Sequence, residues 1–133
     1  MYQGTIVLQD PSTWKNLRAL DYHDQKRWIR NNLPEVLKIL VSLPMKSFEF
    51  WNVIGYLCID NNLYHEAEKI YDELFKKMQR DHGDTGTPAY LRGIAHFLEG
   101  RFGEAYRDFK TSRQYDLQNK KVNCPSARAL AYM

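Results

Sequence analysis

The chain has no hydrophobic run near the ~20 residues that a bilayer-crossing helix needs, so nothing in it reads as a membrane span. Its first residues, MYQGTIVLQDPS, lack the basic start and apolar core of a signal peptide. Cysteine is scarce. Cys58 and Cys124 form no CxxC, which favours cytosolic thiols over a disulfide between them. They read as cytosolic thiols, with Cys58 on an apolar helical face, and the expected location is the cytoplasm.

Charge of one sign is scarce too. The net charge of +3 is mild, well short of the concentrated basic stripe of a nucleic-acid binder. The one local excess is Lys120, Lys121 and Arg128.

Groups that carry chemistry are equally thin. The four histidines, His23, His65, His82 and His96, make no i,i+4 ligand pair and no HExxH. HGDTG (82–86) lacks the lysine and the strand context of a phosphate loop. The serines and cysteines have no base at a fixed spacing. No enzyme, cofactor or metal is expected. His96 reads as a satisfied core histidine and His65 as solvated. Glu66, Glu68, Asp72 and Glu73, interleaved with Lys69, Lys76 and Lys77, read as a salt-laced exposed helix face.

What is present is a folded composition, 44% hydrophobic and 26% charged over 133 residues, with helical periodicity throughout. STWKNLRALD (12–21), DQKRWIRNN (24–32) and LPEVLKILVSLP (33–44) read as three short helices, with Pro34 in the first turn of the third. Ser47 caps a helix over 47–60, Asn61-Asn62 breaks it, and YHEAEKIYDELFKKMQR (64–80) returns. Thr87-Pro88 caps the next helix, which runs to about Glu99. Gly100-Arg101 turns the chain and 102–117 returns. PSARALAYM starts a last helix. The domain expectation is an extended arm over 1–11 and one helical domain over 12–133. That domain divides into 12–44 as N-terminal cap, hairpins over 48–80 and 86–117, and a segment over 124–133.

The two hairpins repeat. Gly55 and Gly93 are 38 residues apart, as are Tyr64 and Phe102, Ala67 and Ala105, and Tyr71 and Phe109. A period of this size means a stack of helix–turn–helix units. Trp51, Ile54-Gly55, Cys58, Ala67 and Tyr71 resemble the tetratricopeptide repeat pattern of Trp, Leu-Gly, Tyr, Ala and Phe. The second copy reads Ala89, Arg92-Gly93, His96, Ala105 and Phe109, and departs from the pattern at its Trp, Leu and Tyr positions. The family period is 34, so four extra residues fall around Arg80–Thr85.

The resemblance implies an all-α fold, a right-handed α-α superhelix of antiparallel helix hairpins with about seven helices. It also explains the glycines. Gly55 and Gly93 are expected where paired helices cross closely, with Ala67 and Ala105 as the small surfaces opposite. In this family the first helices of the hairpins line a concave groove. Its residues here would be Glu49, Asn52, Tyr56 and Ile59, then Tyr90, Ile94 and Phe97. The implied function is a non-catalytic scaffold that takes a protein, peptide or partner helix in this groove, unless the N-terminal helices fill it. The lysines of the family's carboxylate-binding subclass are missing at Asn52, Val53, Tyr90 and Leu91.

Alternatives are an assembly or sensor module of a larger protein, and RNA binding through Tyr90, Phe97, Arg92, Arg101 and Lys120-Lys121. The acids of 45–81 argue against RNA. PSARALAYM fits either a capping helix or the first helix of a further repeat; an uncapped end would self-associate.

Overall fold

The computed structural model describes residues 11–42, 48–120 and 125–133. The expected arm, apart from Pro11, and Ser47, Lys121 and Cys124 lie outside them. Among the described residues there are seven helices and no strand: α1 (Pro11–Ala19), α2 (Tyr22–Ser42), α3 (Phe48–Asp60), α4 (Tyr64–Arg80), α5 (Gly86–Leu98), α6 (Phe102–Gln118) and α7 (Pro125–Tyr132). The protein is all-α. Helices α3 to α6 each pack against the next, as do α6 and α7, and α2 lies against both α3 and α4.

Every boundary of α5 and α6 lies 38 residues beyond the matching boundary of α3 and α4. The turns repeat as well. Asn62 and Gly100 take the left-handed conformation (φ 60° and 82°), as do His82 and Lys120 (φ 57° and 52°). Leu63 donates its N–H to the Cys58 carbonyl at 2.7 Å, and Arg101 to that of His96 at 2.9 Å. These bonds satisfy carbonyls that the helix end would otherwise leave open. The returning helix α4 has 17 residues, and the loop 81–85 completes the longer period.

Two helices were expected, over 24–32 and 33–44; residues 24–42 lie in the single helix α2 (Tyr22–Ser42), with Pro34 in its interior. An internal proline removes one backbone bond and costs about 3 kcal/mol. Here Pro34 and Arg30, whose carbonyl loses its donor, both face solvent. On the opposite side Ile29, Leu33 and Val36 are buried on either flank of the proline. They hold the helix together across it.

The end of α2 at Ser42 lies 38 residues before the end of α4. Ile29, Leu33 and Val36 occupy the positions of Ala67, Tyr71 and Leu74. Helix α2 thus keeps the register of the returning helix α4, and buried Leu17 on α1 stands 38 residues before Gly55. Asn61 ties α2 to the α3–α4 turn. Its side-chain N–H donates to Gln25 Oε1 (3.0 Å), and its carbonyl accepts from the Tyr22 hydroxyl (3.1 Å). At the other end Lys77 Nζ donates to the Val41 carbonyl at 3.1 Å. Helix α2 thus runs parallel to α4 on the side of the returning helices.

The nearest atoms to each glycine's Cβ site belong to an aromatic ring, beyond the alanines that were expected there. A Cβ at Gly55 would lie 2.8 Å from Tyr71 Cε1, and one at Gly93 would lie 2.7 Å from Phe109 Cε1. Ala67 and Ala105 are fully buried nearby in sequence, one turn before each ring. The start of α5 also differs from expectation. The Asp84 carboxylate, not Thr87, accepts the first N–H groups, from Gly86 (2.8 Å) and Thr87 (3.1 Å). An anion suits the positive end of a helix dipole.

Candidate functional site: an aromatic face and a buried ionic chain

The first helix of each hairpin carries the residues named for a groove. Tyr56 on α3 is 50% exposed and Phe97 on α5 is 42% exposed. Ile59, Tyr90 and Ile94 are half-buried and rest against the core. Tyr56 and Tyr90 line one cavity of about 320 Å3, with Leu91, Ser112, Asp116 and Pro125 among its other walls. The structure therefore brings these two tyrosines together. Phe97 lies apart, edge-on to Phe102 at 5.1 Å between centroids. Ile59 and Ile94 spend much of their surface on the core. The side chains of Glu49 and Asn52 lie outside the described residues. Helix α2 lies against α3 and α4, yet Tyr56 keeps half its surface in solvent.

The most polar feature inside the fold is a chain of alternating charges across α4, α5 and α6. Arg92 Nη1 donates to Asp72 Oδ1 at 2.8 Å, and its Nε donates to Asp108 Oδ1 at 3.1 Å. Asp108 Oδ2 lies 2.7 Å from His96 Nδ1, and His96 Nε2 lies 3.1 Å from Glu68 Oε1. Arg101 Nη1 donates to Glu68 Oε2 at 3.2 Å. Both His96 nitrogens face carboxylate oxygens, one on α6 and one on α4. Burial pushes the Glu68 carboxyl up, but the His96 hydrogen bond and charge, with the Arg101 guanidinium, outweigh it and hold Glu68 below the ordinary carboxylate range. Burial and the neighbouring Glu68 carboxylate push Glu99 the other way, upward.

Sequence reading missed this chain. Glu68 turns toward α5, and Asp72, partly exposed and paired with Lys76, also reaches Arg92 on α5. The signal lay in the repeat itself. Arg92, His96 and Asp108 stand 38 residues beyond Ile54, Cys58 and Ile70, all three fully buried. Three apolar positions have become ionic together, each supplying the partner that the others need.

Among the described residues, His65, Glu68 and Glu99 present donor atoms within 4.8 Å of one another. A cation could meet two carboxylates and an imidazole there, but Arg101 already meets the Glu68 charge. Of the bases considered for RNA, Arg92 and Arg101 are paired with carboxylates, while Lys120 is exposed. Cys58 is a free, buried thiol, pushed up to about 12 by burial. Among the described residues no helix is long and apolar enough to cross a membrane.

No protein-family model, curated protein or solved structure matches the chain.

Proposed function

We propose that this chain is a non-catalytic protein-interaction module, a right-handed superhelix of tetratricopeptide-like hairpins that works in the cytoplasm. It holds a peptide or partner helix against Tyr56, Ile59, Tyr90, Ile94 and Phe97, flanked by Glu49 and Asn52. The observation that carries this reading is the pair Tyr56 and Tyr90. They stand on the first helices of two neighbouring hairpins and open on one cavity, while Tyr56 stays half exposed. Aromatic rings in a concavity are strong anchors for a partner. The chemistry of the remaining groups agrees. His96 has both nitrogens engaged, and the Cys58 thiol is buried, so neither is placed to act as base or nucleophile. Arg92 and Arg101, two of the bases an RNA backbone would need, are paired with carboxylates.

The experiment is selection from a displayed random peptide library, first on the natural chain and then on Tyr56→Ala/Tyr90→Ala. The expected result is a family of peptides with shared apolar anchors that the double variant no longer holds, its helicity by circular dichroism being unchanged. Selected peptides that bind the double variant equally well would overturn the reading.

A further inference from the structure

The cavity shared by Tyr56 and Tyr90 is charged, and of one sign. Four helices wall it: α3 through Tyr56, α5 through Thr87 and Tyr90, α6 through Ser112 and Asp116, and α7 through Pro125. Asp116 is the charged member of this lining, and no basic side chain among the described residues joins it. Ser112 and Asp116 are buried and yet line the cavity, so the charge sits at its floor and not at its rim. A second carboxylate stands close by. A Cβ at Gly86, also in the wall, would lie 3.1 Å from Asp116 Oδ1 and 3.2 Å from Asp84 Oδ1. The start of α5 lies here, and its dipole alone would repel a cation. The Asp84 carboxylate accepts the first N–H groups of that helix and offsets this field.

We infer, building on the peptide groove proposed above, that this cavity takes the guanidinium of an arginine side chain from the partner peptide. The faces of Tyr56 and Tyr90 attract a cation, the more so out of water. Arginine is the more weakly hydrated of the two long basic side chains, and its flat fork of N–H groups stacks on rings. The acceptors suit that fork. They are the Asp116 carboxylate, the Ser112 hydroxyl, and the Thr87 hydroxyl, whose own proton goes to Asp84 Oδ2 at 3.0 Å. Asp116 has an interaction of its own within the fold, but a carboxylate has about four lone-pair sites and keeps room for a further donor. At about 320 Å3 the cavity is near the lower end of small-ligand pockets, a size for one side chain and not for a helix. The same chemistry discriminates. A neutral apolar anchor would cover the Asp116 charge without pairing it, and an acidic one would meet it as a like charge.

The test uses the full chain labelled with nitrogen-15 and three capped Ala-Leu-Xaa-Leu-Ala peptides, with arginine, citrulline or glutamate at the centre. Citrulline keeps the shape of arginine and loses its charge. The arginine peptide should shift the amide signals of Gly86, Leu91 and Ser112. It should bind at least about tenfold tighter than the citrulline twin, with the glutamate peptide weakest. Asp116→Asn is isosteric and should bring the arginine-to-citrulline ratio near one. If circular dichroism shows that this buried change costs the fold, Tyr56→Leu takes its place. That half-exposed site keeps its apolar area and loses one ring, and the ratio should fall severalfold. A ratio unchanged in the folded variant overturns the inference. So does tighter binding of the glutamate peptide. Equal shifts of these amides by all three peptides overturn it too, while leaving the groove reading in place. The absence of any shift there with every peptide also overturns it, and the library selection then judges the groove independently.

Discussion

The Tyr71 ring lies over the backbone of Gly55, in the space that a Cβ at position 55 would fill. The contact sets how closely α3 and α4 approach, and Phe109 repeats it over Gly93. A side chain there forces the ring off its seat in a core with no slack, and overpacking of this kind costs about 1–3 kcal/mol. Gly55→Ala is therefore expected to lower the unfolding free energy read from a urea titration by about 1–3 kcal/mol, despite alanine's better helix propensity. Gly103 is the control. It is a helical glycine with nothing within 4 Å of its Cβ site, so Gly103→Ala should gain up to about 1 kcal/mol. The Tyr71 hydroxyl is buried with no hydrogen-bond partner. Tyr71→Phe, the residue the second hairpin already uses, should be neutral or stabilising in the same titration.

A second expectation concerns Asp108. Its carboxylate faces Arg92 and His96 while nine-tenths of its side chain is out of solvent. Removing one member of a buried ionic group leaves the others unpaired, at a cost of about 3–5 kcal/mol. Asp108→Ala should approach the lower figure by chemical denaturation. Lys76→Ala, which breaks pairs whose members are more than a third exposed, should cost less than about 1 kcal/mol.

Stability should depend on acid in two opposed ways. Glu68 is held below its ordinary value of 4.5, so its contribution is complete above pH 4.5. It is lost as pH falls further, through the folded value. Glu99 is raised above 4.5. Its contribution is complete below that pH and is lost as pH rises through the folded value. Glu99→Gln is thus expected to raise the melting temperature slightly at pH 7, the stabilisation being no more than about 1 kcal/mol at this partly exposed site. The gain should vanish near pH 4, where Glu99 has taken up its own proton. An equal gain at both pH values would show that charge is not the cause.

Much of the architecture was legible because the repeat carries it. Gly55 with Tyr71, and Gly93 with Phe109, announce two hairpins and their period. What the glycines pack against was not legible. Alanines at 67 and 105 share the offset equally well, and only the geometry shows the rings on top. The N-terminal helices were legible only as a cap, because Leu17 stands where the later hairpins carry glycine and no aromatic follows. Pro34 suggested a boundary, but tertiary burial of Ile29, Leu33 and Val36 overrides that local signal. The ionic chain was visible only as departures from the apolar pattern at Arg92 and His96. Pairing across three helices does not follow from spacing along one of them. Tyr56 and Tyr90 were placed on a shared face by the resemblance, and they do line one cavity; Phe97 stands instead beside Phe102.

Successive helices touch chiefly their immediate neighbours, and this has a consequence for how the molecule comes apart. Cohesion is then a sum over adjacent units and does not reside in one central knot. Melting should travel inward from the termini. Helix α4, gripped by α2, α3 and α5 together, would be the last to exchange its amide protons with heavy water.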